Sequence, residues 1–191
     1  MSLKETTVRI TGVSPLLMSA PTTCNPFAEM TKQMKTYSSK KTKTEEDHLA
    51  LMRLDWYARL YVNQDGKVQI PAECFEACLV DGAKKTRKGK DAAVGITCDE
   101  VSPLRYNGPA DIDKLFADTR FVSVMRVRVD RKAVMRCRPI FHEWACDVRL
   151  LVNDEVLNMA HVEAIAATAG RLVGICDFRP RYGRFNVEFV S

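Results

Sequence analysis

The last quarter of the chain most constrains the fold. Trp144–Val152 alternates well, with Trp144, Cys146, Val148, Leu150 and Val152 in one phase, which is the period of a half-buried strand. Asn153-Asp154 then caps or turns into a helix ending near Leu172, with Val162, Ile165, Ala166 and Ala169 on its buried face. Gly170–Phe185 reads GRLVGICDFRPRYGRF, and Phe185–Val190 alternates again as a final strand. A helix joined to a terminal strand through a glycine-containing loop calls for a sheet partner elsewhere. Thr6–Val13, with Val8 and Ile10 on one face and Thr7, Arg9 and Thr11 on the other, supplies one.

The middle of the chain adds the remaining elements. Ser19 to about Thr44 reads as a long loop holding at most a short helix. Glu45–Arg53 reads as helix, and Leu54–Val62 alternates like a strand that would pair with Lys67–Ile70 across an Asn63–Gly66 turn. Pro71 opens a helix from Ala72 to about Lys85, whose apolar face is Phe75, Cys78, Leu79 and Ala83. A small strand is expected near Ala92–Cys98. Val122–Val129 and Ala133–Arg138 read as strands around an Asp130-Arg131-Lys132 turn. The expected fold class is α+β, one domain over residues 1–191 with a βαββαβ core of the ferredoxin-like or RRM-like kind. Large insertions fall at about 14–70 and 84–118, and a glycine-rich loop lies near the C-terminus.

The 191 residues, 46% apolar and 28% charged, match a soluble globular composition, which excludes a wholly disordered chain. No apolar run approaches the ~20 residues of a membrane span, so no membrane partner is expected. The opening MSLKETTVRITG has no apolar core of a secretory signal. Cytoplasmic location follows as an expectation, and the seven irregularly spaced cysteines then read as reduced thiols. Cys74 and Cys78 lie one helical turn apart and could be joined by Cys98 at a metal, but zinc sites show tighter pairs. No metal or cofactor is expected, and no P-loop or dinucleotide fingerprint is present.

Net charge is only +5, but its distribution is uneven. Thr31–Thr44 contains Lys32, Lys35, Lys40, Lys41 and Lys43 and no acid. Lys84–Lys90 reads KKTRKGK. Arg120–Arg149 and Arg171–Arg184 hold most of the arginines. Such clustering is the footprint of a polyanion-binding surface. The expected nucleic-acid contacts are Arg126, Arg128, Arg136 and Arg138 on the open face of the core sheet, with Arg179, Arg181 and Arg184 in the glycine-rich loop. Lys84, Lys85, Arg87, Lys88, Lys40 and Lys41 join them from the insertions. Gly174 and Gly183 free the loop backbone. Phe178 and Tyr182, interleaved with Phe185, are candidate stacking surfaces. His48, His142 and His161 form no metal-ligand motif, and no catalytic residue is assigned.

Three stretches resemble the RAMP superfamily of CRISPR-associated proteins. ITGVSPLLM is similar to that family's first strand and turn. IPAECFEACLVDGAKK is similar to the lead-in and body of its first helix. VGICDFRPRYGRFNV is similar to its glycine-rich loop and last strand. The resemblance is strongest to the guide-RNA-coating backbone subunits of class 1 effector complexes, and extends to compact relatives encoded in phages or prophages. It implies a non-enzymatic subunit that coats single-stranded nucleic acid, RNA preferred and single-stranded DNA allowed. Such a subunit forms a homo-oligomer or filament and meets other effector subunits. The alternatives it implies are a phage-encoded interaction protein that mimics or inhibits such a backbone, or an RNA-processing endonuclease. For the last, His48 is the candidate general acid or base. Relatives that cut target RNA use an aspartate after the first strand, whereas Ser14–Thr44 contains none.

Overall fold

A computed structural model describes residues 3–129 and 131–190; Asp130 of the expected hairpin turn lies outside them. In chain order the strands are β1 (Leu3–Gly12), β2 (Leu16–Leu17), β3 (Ile96–Val101), β4 (Val122–Val129), β5 (Lys132–Phe141), β6 (Ala145–Asn153) and β7 (Phe185–Val190). The helices are α1 (Glu29–Ser38), α2 (Glu45–Arg59), α3 (Ala72–Lys84), α4 (Gly89–Gly95), α5 (Ile112–Ala117) and α6 (Met159–Leu172). The chain forms two compact units. One comprises Met1–Leu16, Val62–Asn107 and His142–Ser191, the other Leu17–Tyr61 and Gly108–Phe141.

The first unit is built on a four-stranded sheet in the order β3-β6-β1-β7. β1 pairs antiparallel with both β6 and β7, with Ile10 opposite Cys146 and Val187. Period-two alternation separates its two faces. Val8, Ile10, Val148 and Leu150 point to the side occupied by Phe75 and Leu79 of α3 and Ala166 of α6. α3 and α6 approach closely because Gly82 faces Ala169; a Cβ there would lie 2.9 Å from the Ala169 backbone nitrogen. The apolar positions expected for both helices are the ones buried.

The second unit holds α1, α2, α5 and the β4–β5 hairpin of the three-stranded sheet β2-β5-β4. Asp55, 5% exposed, organises it. Its carboxylate accepts from the Cys137 backbone N–H at 2.9 Å and from Arg59 Nε at 3.3 Å, with Arg136 Nη1 at 3.9 Å. Trp56, fully buried, donates its Nε1 hydrogen to the Phe121 carbonyl at 2.9 Å.

Several expected elements change. Leu54–Val62 is not a strand, because α2 continues to Arg59. A capping box starts that helix: Thr44 Oγ1 accepts from the Asp47 N–H, and Asp47 Oδ2 accepts from the Thr44 N–H. The hairpin expected around Asn63–Gly66 reduces to an isolated bridge between Val62 and Val68. Residues 89–95 are helical, and the strand expected near Ala92–Cys98 begins at Ile96. Part of the long loop is α1. The β4–β5 hairpin forms as expected, but in the second sheet and not beside β1.

Candidate nucleic-acid interface

The open face of the four-stranded sheet was the expected platform for Arg126, Arg128, Arg136 and Arg138. β6 and β3 take the places beside β1 that the hairpin strands were expected to fill, so the platform carries Arg9, Arg149, Asp147, Asp99 and Glu188 from its strands instead. Asp147 is held by Arg9 Nε at 3.1 Å and by both Arg105 Nη atoms at 2.8 and 3.0 Å. The Arg105 guanidinium, with Arg9 beside it, keeps the Asp147 carboxyl below the usual carboxylate range. Arg149 pairs with Asp99 and, at 3.2 Å, with Glu5. Arg9, Arg105 and Arg149 thus each have a carboxylate partner on this face.

The four expected arginines also divide between the two faces of their own hairpin. Directly opposed residues in an antiparallel pair share a face. Arg126 stands opposite Met135 and Arg128 opposite Ala133, whereas Arg136 stands opposite Met125 and Arg138 opposite Ser123. Arg126 and Arg128 are exposed, alongside Val124 and the 59%-exposed Met135. Arg136 is turned toward Asp55.

The glycine-rich loop is tightly folded. Gly183 N–H donates to the Pro15 carbonyl and Ile175 N–H to the Gly183 carbonyl, at 2.8 and 2.9 Å. Gly183 has φ +72°, and a Cβ there would run into the Ile175 carbonyl oxygen. Gly174 has φ +77° and closes the end of α6 with its N–H on the Ala169 carbonyl, 2.9 Å. Arg184 is anchored through its backbone, its N–H donating to Ser14 Oγ at 2.9 Å, while its side chain is exposed. Trp144 Nε1–H donates to the Ser14 carbonyl at 2.9 Å. Phe185, expected to join the stacking surface, is instead core and packs edge-on against Trp144. Phe178 is 44% exposed, and Tyr182 is half-buried with the Arg181 guanidinium 5.9 Å from its ring centroid.

This loop meets the KKTRKGK run. A cleft of about 320 Å³ is lined by Asp81, Lys84 and Lys85 from the end of α3, Leu172 and Val173 from the end of α6, and Arg179 and Pro180 from the loop. Lys84 Nζ lies 2.8 Å from Asp81 Oδ1, and Arg179 Nη1 lies 3.7 Å from Oδ2. Lys84 hydrogen bonding chiefly holds the Asp81 carboxyl below the ordinary range. Among the described residues no carboxylate pairs with Lys85, Arg181 or Arg184. Sequence reasoning missed Asp81, Leu172, Val173 and Pro180, although Asp81 three residues before Lys84 was a visible helical ion pair.

The remaining expected contacts disperse. Arg87 is exposed with φ +61°, and Lys88 precedes α4 half-buried. Lys40 is bound to Asp47 at 2.6 Å and lies over the Tyr37 ring, whereas Lys41 is exposed. A second groove, about 530 Å³, lies between α1 and α2 and is lined by Gln33, Thr36, Tyr37, Ala50, Arg53 and Leu54.

All seven cysteines are free thiols. Burial pushes Cys78 and Cys146 up to about 12, which disfavours the thiolate that a metal ligand or nucleophile needs. Cys176 hydrogen-bonds with Cys74. His48 is exposed in the first turn of α2. No helix among the described residues is long and apolar enough to cross a membrane.

No family model matches this chain, and no curated protein matches it in sequence. Its fold is similar to that of a chain in the cryo-EM structure of the Type III-B Cmr-beta bound to cognate target RNA. The TM-score is 0.56 and the identity 10%, and the match covers 98% of this chain. The chain spans about three fifths of that relative's length, 61%. The likeness, with antiparallel sheets and mixed helix, places the chain in the α+β class with a fold like that of the matched chain.

Proposed function

We infer that this chain binds single-stranded nucleic acid without cutting it, with RNA preferred, through a RAMP-like domain. One observation carries the reading. Lys84 and Lys85 from one basic run and Arg179 from another, almost a hundred residues away, converge on one cleft, with Arg181 and Arg184 exposed on the same loop. In this reading β1, α3, β3, β6, α6 and β7 of the first unit serve as a βαββαβ ferredoxin-like core, with α4 added between α3 and β3; the sheet order β3-β6-β1-β7 supports it. The matched Cmr-beta chain, whose structure is described as bound to cognate target RNA, supports RNA as the ligand. In this reading the loop and the Lys84–Lys90 run hold phosphates by charge. Arg126 and Arg128, on the exposed hairpin face of the second unit, are a separate contact for nucleic acid or for a neighbouring copy. Homo-oligomer or filament formation along the strand, contact with other effector subunits and a cytoplasmic setting belong to the same proposal.

The test is equilibrium binding of a labelled 12-nucleotide oligouridylate across a salt series. Each phosphate neutralised contributes roughly −0.7 to the slope of log K against log salt for a single strand. A steep negative slope is expected. Affinity that does not change between low and moderate salt, or no binding at all, overturns the reading.

A further inference from the structure

The cleft between the ends of α3 and α6 contains a group that a simple phosphate cradle would avoid. Asp81 presents a carboxylate in the midst of Lys84, Lys85 and Arg179. An ionised carboxylate repels phosphate and accepts hydrogen bonds only. Its Oδ1 accepts from Lys84, whereas Arg179 lies 3.7 Å from Oδ2, beyond hydrogen-bond distance. Among the described residues no donor hydrogen-bonds Oδ2, and the Asp81 side chain is 37% exposed. The carboxylate therefore keeps acceptor capacity directed into the cleft. The other walls are apolar: Leu172, Val173 and Pro180. A volume of about 320 Å³ is the size of a small-ligand site, at the lower end of the roughly 300–1,000 Å³ such pockets occupy.

A nucleic acid offers few partners for such a group. Guanine carries two adjacent donors, N1–H and the N2 amine, which match the two oxygens of a carboxylate. Adenine and cytosine each place an amine beside an acceptor nitrogen. Uracil places one N–H between two carbonyls. An ionised carboxylate repels each of those neighbouring acceptors.

We propose that this cleft reads one guanine of the bound strand. Asp81 accepts from N1–H and the N2 amine, Leu172, Val173 and Pro180 flank the ring, and Lys84, Lys85 and Arg179 hold the adjoining phosphates. The inference rests on the single-strand-binding reading and adds base selectivity to it. A lowered Asp81 pKa, caused mainly by Lys84, keeps the acceptor charged at neutral pH.

The experiment compares 12-mer oligouridylates in which one central residue is uridine, guanosine, inosine or adenosine. Inosine lacks the N2 amine and so removes one of the two donors. The guanosine oligomer is expected to bind roughly tenfold tighter than the adenosine or uridine ones, as suits one charge-assisted contact at a partly exposed site. Inosine should fall between them. Asp81→Asn should erase these differences, with its thermal unfolding recorded to show that the protein is folded. Arg9→Ala, on the open sheet face, should keep them. Equal affinity for all four oligomers overturns the proposal. So does a guanosine preference that survives in Asp81→Asn, or an Asp81→Asn loss equal for every oligomer, which would make Asp81 a positioning residue for Lys84 and Arg179. If no oligomer binds, the single-strand reading falls by itself. The cleft is then decided by titrating free GMP, IMP and AMP: tighter GMP binding supports it, and equal binding overturns it.

Discussion

The first unit carries two arginine-bearing surfaces with opposite electrostatic outcomes. On the open face of the sheet, Arg9, Arg105 and Arg149 are matched by Asp147, Glu5 and Asp99, and their charge is spent inside the protein. Around the cleft, Lys84, Lys85 and Arg179 surround the carboxylate of Asp81, while Arg181 and Arg184 on the loop have no acidic partner among the described residues. Counting basic residues does not distinguish the two. What distinguishes them is whether strand pairing places an acid across from each base. β1 and β6 place Arg9 directly opposite Asp147, so the pair forms before any ligand arrives. Loop arginines have no such cross-strand neighbour.

The contrast can be broken most severely at the loop itself. Gly183→Ala should cost on the order of 3 kcal/mol, because φ +72° and the Ile175 carbonyl both exclude a side chain. Denaturant unfolding measures this, and a loss under about 1 kcal/mol would mean that the turn is not held as described. Replacing Arg179, Arg181 and Arg184 together with alanine should weaken oligouridylate binding by roughly 10- to 100-fold at low salt and reduce the salt slope by about 2. An unchanged slope would move the phosphate contacts elsewhere.

The paired face should respond to acid more than to ligand. Asp147 has a lowered pKa, so its contribution is complete above the ordinary carboxylate value of 3.8 and is lost as pH falls below that, through the lowered value. Melting temperature should therefore fall less steeply between pH 5 and 2 in Asp147→Asn than in the parent, when each is compared with its own value at pH 7. Parallel acid profiles would remove Asp147 from the account. The smallest effect is expected for Arg9→Ala, with less than about 1 kcal/mol lost in stability, as for an exposed ion pair. Its oligonucleotide affinity should stay within about twofold of the parent, and a loss matching the loop triple variant would erase the distinction between the two surfaces.

The second unit shows how local pattern and tertiary context part company. Leu54, Trp56, Ala58 and Leu60 alternate, and by period alone they describe a strand. They lie in or just beyond a helix because the Thr44–Asp47 capping box starts one upstream, and because Asp55 must reach both the Cys137 N–H and Arg59 one turn away. The capping signal was present in the sequence as Thr44-Glu45-Glu46-Asp47. The demand from Cys137, 82 residues distant, was not. Similarly, the β4–β5 hairpin was legible as a hairpin, but the sheet it joins was not. That choice depends on which backbone edges are left open, and β3 and β6 already occupy the β1 side of the four-stranded sheet.

The sequence by itself determined the elements whose signals are local. These are the alternation of β1, β6 and β7, the apolar stripes of α3 and α6, and the turn after α6 whose glycines at 174 and 183 take positive φ. Hydrophobic period and steric limits on φ act within a few residues, so they can be read along the chain. Tertiary structure alone decided which charges would be neutralised and which would gather. Arg9 met Asp147 through strand register, and Arg179 met Asp81, Lys84 and Lys85 where the close Gly82–Ala169 contact brings the ends of α3 and α6 together. Ion pairing acts through space over a few ångströms, and residues far apart in sequence come that close only once the core has packed.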